Sequence, residues 1–373
     1  SMQLQQEKQF AKYNLLRKCG LLAHTSAAFL KKLLHRKTFI FPAARSQQPI
    51  SKIRKECVSM ALTITLSNTS GASYVFSKIL QFQLKKEVYT PYTTFSAQFQ
   101  TDGLKKFGTI CKVIVQNGSQ VVHEGTVETL TVQTNTSVTT ISLLSYGFTK
   151  LLLHSELAPG LYPNLSINSL LSGYYQFPPE ITWESNSDST NYVYFNEHIP
   201  VWDGVVTLCY KLLERYPYIR TANQVCLHLP EKAKSLHIQT GQTLSYGTKR
   251  RYSRLISHFH MQDVDGNYDK FSLTNPQAVA VYQLRHKQIA FDRSYLYNPQ
   301  KALEFRSAAS QNGWMQQFFT LAGWIACDLN DCLSVTDEIE NARISAIVWN
   351  GSQTGISTTI SLYSDVFQQK GTL

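Results

Sequence analysis

Two stretches near the end of the chain alternate apolar and polar residues, and this limits what the chain can fold into. From 342 to 349 and from 356 to 364, apolar side chains return at every second position. A period of two predicts β-strands, and Asn350-Gly351 with Gly355 predicts the turn that joins them into a hairpin. One face of this hairpin is apolar, and the serines and threonines of 357–361 make the other face rich in hydroxyls. Since a lone hairpin is marginal in water, it requires partner strands from elsewhere in the chain.

The closest match to this pattern lies at 62–144, where alternation recurs in short runs joined by turn signals. Asn117-Gly118 is a strong hairpin signal, and Asp102-Gly103 marks another turn. Six or seven short strands in one stretch are typical of a small barrel or sandwich. We therefore expect this region to supply the strands that pair with the closing hairpin.

Helical periodicity separates the two strand regions. The clearest helix spans Val201–Tyr216, where apolar residues fall at i, i+3, i+4 and i+7 and Asp203 lies near the start. Phe148–Leu157 and Gln300–Phe319 are further helix candidates. Short strands are expected at Val225–Leu229, Ser235–Ile238 and Leu255–Gln262. The mixture predicts an α+β fold that is mainly β.

The net charge of +11 is concentrated at the amino end. Residues 1–59 carry 12 of the 36 Lys and Arg residues and only two acids, so the rest of the chain is nearly neutral. This basic N-terminal extension fits a cationic arm for nucleic acid or an anionic membrane, a targeting peptide, or a disordered extension. It also fits a chain whose natural start is Met60, directly before the first alternating run. Because the body is nearly neutral, we expect it to bind no specific nucleic acid.

Possible metal ligands are few and poorly spaced. The seven cysteines form no C-x-x-C pair, which in a chain this long favours reduced thiols. Cys327 and Cys332 lack a matching Cys or His pair at zinc spacing, and His258 and His260 lack a third ligand nearby in sequence. Residues 263–269 resemble the start of a calcium loop but lack its downstream Glu, so we interpret them as a hairpin turn. We expect no bound metal and no cofactor.

The sequence contains no nucleophile elbow, phosphate-binding loop, dinucleotide fingerprint or zinc-protease helix. Scattered acids such as Glu180, Glu184 and Asp203 leave glycoside hydrolysis open, because that reaction needs only two positioned carboxylates. The basic run Lys249-Arg250-Arg251 is interpreted as the solvated edge of a strand or, alternatively, as a nucleic-acid contact. No apolar run reaches the roughly 18 residues of a membrane span. We expect no enzyme activity, no catalytic residue and no membrane span.

Three stretches resemble the baseplate hub proteins of contractile phage tails and phage-tail-like particles. They are Val201-Trp202-Asp203-Gly204, the helical segment Gln300–Arg306 and the closing block Arg343–Ser364. The resemblance covers roughly residues 61–367 and implies two small tube-like β-barrel domains with α+β insertions. The implied order is the extension at 1–59, a first β-barrel domain at 60–157, an α+β insertion at 158–240, a second insertion with strands and a helix at 241–320, and strands at 321–373 that complete the second β-barrel domain.

The same resemblance implies a structural role. Such hubs are homotrimeric rings that join the tail tube protein to the central spike protein and contact other baseplate proteins. It therefore implies a place in the virion tail baseplate and assembly in the bacterial cytoplasm. The hydroxyl-rich strand faces suit the wetted inner wall of such a ring. Two alternatives stay open: a tail-associated cell-wall hydrolase that carries a further catalytic module, and a nucleic-acid-binding protein that uses the basic N-terminal arm.

Overall fold

The computed structural model describes residues 62–102, 107–135, 138–173, 176–292, 298–336 and 338–364. The predictions made for the extension at 1–59, for the start at Met60 and for the turn residue Gly103 lie outside these residues.

The first seven strands are β1 (Leu62–Asn68), β2 (Ser73–Phe76), β3 (Ile79–Glu87), β4 (Thr94–Asp102), β5 (Ile110–Asn117), β6 (Gln120–Asn135) and β7 (Val138–Gly147). After a 3-10 turn, Phe148–Lys150, come α1 (Leu151–His154), β8 (Gly160–Pro163), α2 (Ile167–Gly173), β9 (Thr182–Trp183), β10 (Tyr192–Phe195), α3 (Val201–Leu213), β11 (Tyr218–Arg220), β12 (Gln224–Cys226) and β13 (Ser235–Ile238).

The next elements are a 3-10 turn (Thr240–Gln242), β14 (Thr243–Arg250), a 3-10 turn (Tyr252–Arg254), β15 (His258–Met261), β16 (Phe271–Thr274), α4 (Pro276–Ala280), β17 (His286–Ile289) and α5 (Pro299–Ser310). The last strands are β18 (Met315–Ala322), β19 (Cys332–Val335), β20 (Ile339–Arg343), β21 (Ala346–Ser352) and β22 (Gly355–Tyr363).

Eleven strands form one sheet in the order β14-β18-β22-β21-β3-β4-β7-β6-β5-β1-β2, and all neighbours in it are antiparallel. The closing hairpin, β21 and β22, pairs with β3, so that Ala346 lies opposite Glu87 and Ser352 opposite Gln81. Its pairing with the 62–144 region is thus confirmed, and the fold is α+β and mainly β. Among the described residues the strand order has two ends and no closed barrel, so the barrel expectation is not confirmed.

The turn of the closing hairpin differs from the prediction. Asn350 and Gly351 lie within β21, and residues 353–354 make the connection. Gly351 lies opposite Phe82, and a Cβ built on the glycine would come within 2.0 Å of a carbon of the phenyl ring. The glycine is therefore required by packing in the sheet and not by the turn.

Gly351→Ala is expected to lower the free energy of unfolding by about 1–3 kcal/mol, because the buried Phe82 ring must move to admit the methyl group. Gly241→Ala is the matched control, since a Cβ at that position would meet no atom within 4 Å. Chemical denaturation of the two variants beside the unaltered protein measures the difference. Equal stability of both variants would show that the Phe82 ring can move aside without lowering the free energy of unfolding.

The clearest helical prediction is confirmed by α3. The helix begins after Pro200 and ends at Leu213, because Glu214 takes a left-handed backbone conformation with φ of 53°. Its buried face joins a second apolar core, separate from that of the sheet. Gly204 lets the side chain of Leu157 approach, because a Cβ there would come within 2.4 Å of Leu157 Cδ1.

The other long helix was predicted wrongly beyond residue 310. Helix α5 ends at Ser310, and residues 315–322 form β18 between β14 and β22. Gly313, with φ of 64°, separates the two elements. Phe148–Leu157 is likewise reduced to α1 and the 3-10 turn before it. Strands β14 and β18 therefore belong to the large sheet, although they lie largely in the segment 241–320 that is predicted to be the second insertion. The domain boundaries stay a prediction.

Candidate functional site

Seven neighbouring strands of the large sheet, from β18 to β6, share a face that is polar and almost uncharged. Residues directly opposite one another on paired strands lie on the same face of a sheet. The members are taken from this register without the residues at its margins, among them Ala322, Ala346, Glu87, Thr126, Asn135, Val138 and Tyr146. The members are Phe318, Thr320, Ser357, Thr359, Ser361, Val348, Asn350, Ser352, Gln81, Gln83, Lys85, Thr94, Ser96, Gln98, Gln100, Thr140, Ser142, Leu144, Thr129, Thr131 and Gln133. All but four are Ser, Thr, Asn or Gln. We call this set the polar face.

The opposite side of the same strands is buried and apolar. Its side chains include Phe82, Leu84, Phe95, Phe99, Ile141, Trp349 and Ile360, and they belong to one continuous core. The alternation of the sequence thus separates a core side from a polar side over the whole width of the seven strands. The hydroxyl-rich face predicted for the closing hairpin is confirmed, and it extends well beyond the hairpin.

Side-chain hydrogen bonds connect the strands across the polar face. Gln83 Nε2 donates to Asn350 Oδ1 at 2.9 Å, between β3 and β21. The hydroxyls of Thr320 and Thr359 lie 3.0 Å apart between β18 and β22. Lys85, the one cation of the face, pairs with Glu87 at 2.8 Å. The face therefore presents hydrogen-bonding groups to its surroundings without a strong electric field.

The acids considered for hydrolysis are engaged in separate structural contacts. Glu180 pairs with Lys112 at 2.6 Å, and the ammonium of Lys112 lowers the pKa of that carboxyl. Glu184 accepts hydrogen bonds from the backbone N–H groups of Leu227 and His228 at 2.8 and 2.9 Å. Asp203 lies exposed in the first turn of α3. Each carboxyl therefore has a local structural explanation, as an ion pair, an anchor for β12 or a residue of a helix start.

One serine and one histidine do lie within hydrogen-bonding distance, inside the core. His123 is fully buried; its Nε2 is 2.8 Å from Ser145 Oγ and its Nδ1 is 2.6 Å from Thr93 Oγ1. Because Ser145 donates its hydroxyl proton to the carbonyl oxygen of Thr126 at 2.8 Å, Nε2 must carry a proton and donate to Ser145. Nδ1 then accepts from Thr93. Both ring nitrogens of this buried histidine thus have hydrogen-bond partners, and the histidine is not a general base for the serine.

His123 escaped the sequence analysis, although a signal for it exists. It alternates with Gly125 along β6, and both residues are buried. Burial lowers its pKa to about 3, so the ring is neutral near pH 7.

The structure adds one imidazole to the His258-x-His260 pair. His286, on the parallel neighbour strand β17, stacks on His258 with ring centroids 4.4 Å apart, and its Nδ1 is 3.5 Å from His260 Nε2. Even so, the described part of the chain contains no group of three His, Cys, Asp or Glu side chains arranged to hold a metal ion. Burial raises the pKa of the Cys327 thiol to about 12, so it is protonated near pH 7.

The turn predicted at 263–269 is confirmed, since it joins the antiparallel strands β15 and β16. Asp263 Oδ1 accepts the backbone N–H groups of Asp265 and Asn267 at 2.9 and 2.8 Å, which closes the turn. The basic run at 249–251 lies at the end of β14, which is an outer strand of the sheet, as the solvated-edge interpretation predicted. Within the described ranges, no helix is long and apolar enough to cross a membrane.

Comparison with known proteins gives no match to a protein-family model and none to a curated protein. Solved structures do share the fold. The 43 kDa tail protein of prophage MuSo2 from Shewanella oneidensis is 14% identical, with 80% of this chain and 98% of that protein covered and a TM-score of 0.61. The tail protein from Neisseria meningitidis MC58 is 10% identical, with 83% and 99% covered and a TM-score of 0.61. The chain therefore has the fold of prophage tail proteins, which confirms at the level of the fold the resemblance seen in its sequence.

Proposed function

We propose that the chain is a structural hub of a phage tail baseplate or a related particle, with no enzymatic role. In this proposal three copies form a ring that joins the tail tube to the central spike, and the insertions contact other baseplate proteins. The ring is assembled in the bacterial cytoplasm and belongs to the virion tail. The prophage tail proteins that share the fold support a tail role, and the polar face is the observation that carries the proposal.

The dimensions of the polar face suit the inner wall of such a ring. Strands in a sheet lie about 4.8 Å apart, so seven strands span roughly 30 Å. Three such faces side by side give a circumference of roughly 90 Å and therefore an opening of roughly 30 Å. A wall of hydroxyls and amides is wetted, yet it neither attracts nor repels a charged polymer strongly. Such a lining suits a passage better than a binding site.

The mass of the full chain in solution tests the ring. Light scattering is expected to give three times the 42.3 kDa of one chain, in a closed ring with head-to-tail contacts. Because such a ring closes at a fixed number of copies, the mass should not grow with protein concentration. A monomer that persists at high concentration, or an open-ended series of larger species, would contradict the ring.

Cysteine accessibility tests where the polar face lies in that ring. We expect Ser142→Cys to react with a small maleimide in the trimer but not with a maleimide attached to a large carrier protein, because the opening excludes the carrier. Leu161→Cys, at a side chain that is 61% exposed in the first insertion, is the matched control and should react with both reagents. Both variants also carry Cys19→Ser, Cys57→Ser and Cys111→Ser, since Cys111 is itself exposed and Cys19 and Cys57 lie outside the described residues. Equal reaction of the carrier at both sites would place the polar face outside the ring.

A further inference from the structure

Strand β14 is an outer strand with an open edge. It pairs only with β18 among the described strands, so one side of its backbone N–H and C=O groups has no strand beside it. Most of its residues are exposed on both faces, including Leu244 at 64% and Tyr246 at 55%. Natural proteins usually shorten, cover or twist such an edge, because it is a template for pairing with another chain. A register irregularity between Thr243 and Ser245 and the charges of Lys249 and Arg250 blunt this edge, but no described strand covers its eight residues.

The charge of this edge has one sign. Residues 243–262 contain four Lys and Arg residues and no acid. Arg254 is turned inward and donates to the backbone oxygen of Asn312. Lys249 and Arg250 are exposed, and neither forms an ion pair within the described ranges. Because neighbouring residues of a strand point to opposite faces, the two charges flank the open edge on both sides.

Apolar side chains continue the surface beyond the strand. Tyr252, in the 3-10 turn that follows β14, is 44% exposed. Arg285 donates to the backbone oxygens of Ser253 and Leu255, which holds the preceding turn against this segment. That turn carries Tyr282 at 86% exposure in a left-handed conformation with φ of 58°. Exposed aromatic side chains on two segments that contact each other are typical of an interaction site.

We propose that the β14 edge docks an extended acidic segment of another protein, which adds to the sheet as a further strand. Main-chain hydrogen bonds along the edge would supply affinity, and the side chains would supply specificity. The segment would carry adjacent acids opposite Lys249 and Arg250, and apolar β-forming residues opposite Leu244 and Tyr246. The nearest members of the two pairs, Tyr246 and Lys249, lie about 10 Å apart along the strand.

Charge argues against the other end of the large sheet of a second copy as the occupant. The other open edge of the sheet is β2, which has four residues, Ser73–Phe76, and no acid. It is half the length of β14 and offers nothing to pair with Lys249 and Arg250. Another outer strand of a second copy, such as β20 with its exposed Glu340, would be a contact between copies. The mass of the chain in solution distinguishes that contact from docking of another protein.

Fluorescence polarisation of a labelled peptide with the full chain tests the docking. The probe is acetyl-Glu-Glu-Val-Thr-Val-Thr-Val-Thr-amide, which places valines opposite Tyr246 and Leu244 when its glutamates lie opposite Arg250 and Lys249, and it is used also in the reversed sequence because the strand direction is open. We expect binding by one of the two and none by the same peptide with Lys in place of Glu. Methylation of alternate backbone nitrogens in the probe should abolish binding, because it removes the main-chain donors without changing the charge.

The variant Lys249→Glu with Arg250→Glu should weaken binding of the probe at least about ten-fold, since each reversal turns an attraction into a repulsion. Lys232→Glu with Lys270→Glu is the matched control, because it changes the net charge equally at two other exposed lysines and should leave binding unchanged. All four positions are exposed, so both variants should keep the melting temperature of the unaltered protein.

Several results would overturn the docking proposal. One is that neither acidic peptide binds, and another is that the control double variant weakens binding as much as the edge variant. A third is that single-stranded (dT)20 binds at this edge while the peptides do not, which would make it a nucleic-acid surface. A fourth is that Lys249→Glu with Arg250→Glu changes the mass of the chain in solution, which would make the edge a contact between copies.

Discussion

Lowering the pH from 7 to 5 is expected to reduce the free energy of unfolding by about 2 kcal/mol through His123 alone. In the unfolded chain this imidazole takes up a proton near pH 6.5. In the folded chain burial lowers its pKa to about 3, so the imidazole is protonated only at much lower pH than in the unfolded chain. The unfolded state therefore binds more protons in this pH range, and stability falls as the pH falls. The contribution is fully present above pH 6.5 and is lost progressively toward pH 3.

The comparison of His123→Phe with the unaltered protein isolates this contribution. Phenylalanine keeps a ring beside Phe95, on which His123 stacks with centroids 5.5 Å apart, but it cannot titrate. At pH 7 the variant should lose about 1–3 kcal/mol, because the hydroxyl of Thr93 loses its acceptor in the core. Between pH 7 and 5 its stability should fall by about 2 kcal/mol less than that of the unaltered protein.

Urea denaturation at a series of pH values measures both quantities. His237→Phe is the control, since the side chain of His237 is exposed on β13. It should keep the pH dependence of the unaltered protein. The same pH dependence in all three proteins would show that His123 is not held neutral by its burial.

The closing hairpin shows how much of this fold can be predicted from local sequence. Its two strands alternate with a period of two, so the sequence predicts its strands and its polar side directly. The sequence also indicates the region that pairs with it. It does not reveal that Gln83 of β3 meets Asn350 of β21, because their register depends on contacts across 267 residues. The extent of the polar face could therefore not be predicted.

Two errors have the same physical origin. The helical pattern of Gln300–Phe319 predicts a helix through residues 315–319, yet pairing with β14 on one side and β22 on the other makes them a strand. Asn350-Gly351 has the sequence of a hairpin turn, yet Gly351 serves the close approach of Phe82. In both places tertiary contacts override a local preference. Local sequence signals were most reliable where they agreed with the packing, as in α3.

The second large effect is expected at Lys86, the one charged side chain that the central strands place on the apolar side of the sheet. Lys86 is 5% exposed and opposite Ile347, within the core. Its Nζ lies 2.5 Å from Asp328 Oδ1 and donates to the backbone oxygen of Thr221 at 2.6 Å. Asp328→Asn keeps the shape of the side chain and removes its charge. It should cost about 3 kcal/mol or more, because the lysine then remains buried without a counter-charge.

The double variant distinguishes a lost counter-charge from a lost contact. Lys86→Met removes the buried charge, so Lys86→Met with Asp328→Asn should be more stable than Asp328→Asn alone. Lys301→Met is the control: Lys301 pairs with Glu214 at the surface, where both side chains are about half exposed, and its removal should leave stability unchanged. If the double variant were the least stable of the set, the contacts of Asp328 would matter more than its charge. Those contacts include the hydrogen bond that Asp328 accepts from the backbone N–H of Thr221 at 2.8 Å. This hydrogen bond would then be what joins the insertion to the sheet at this point.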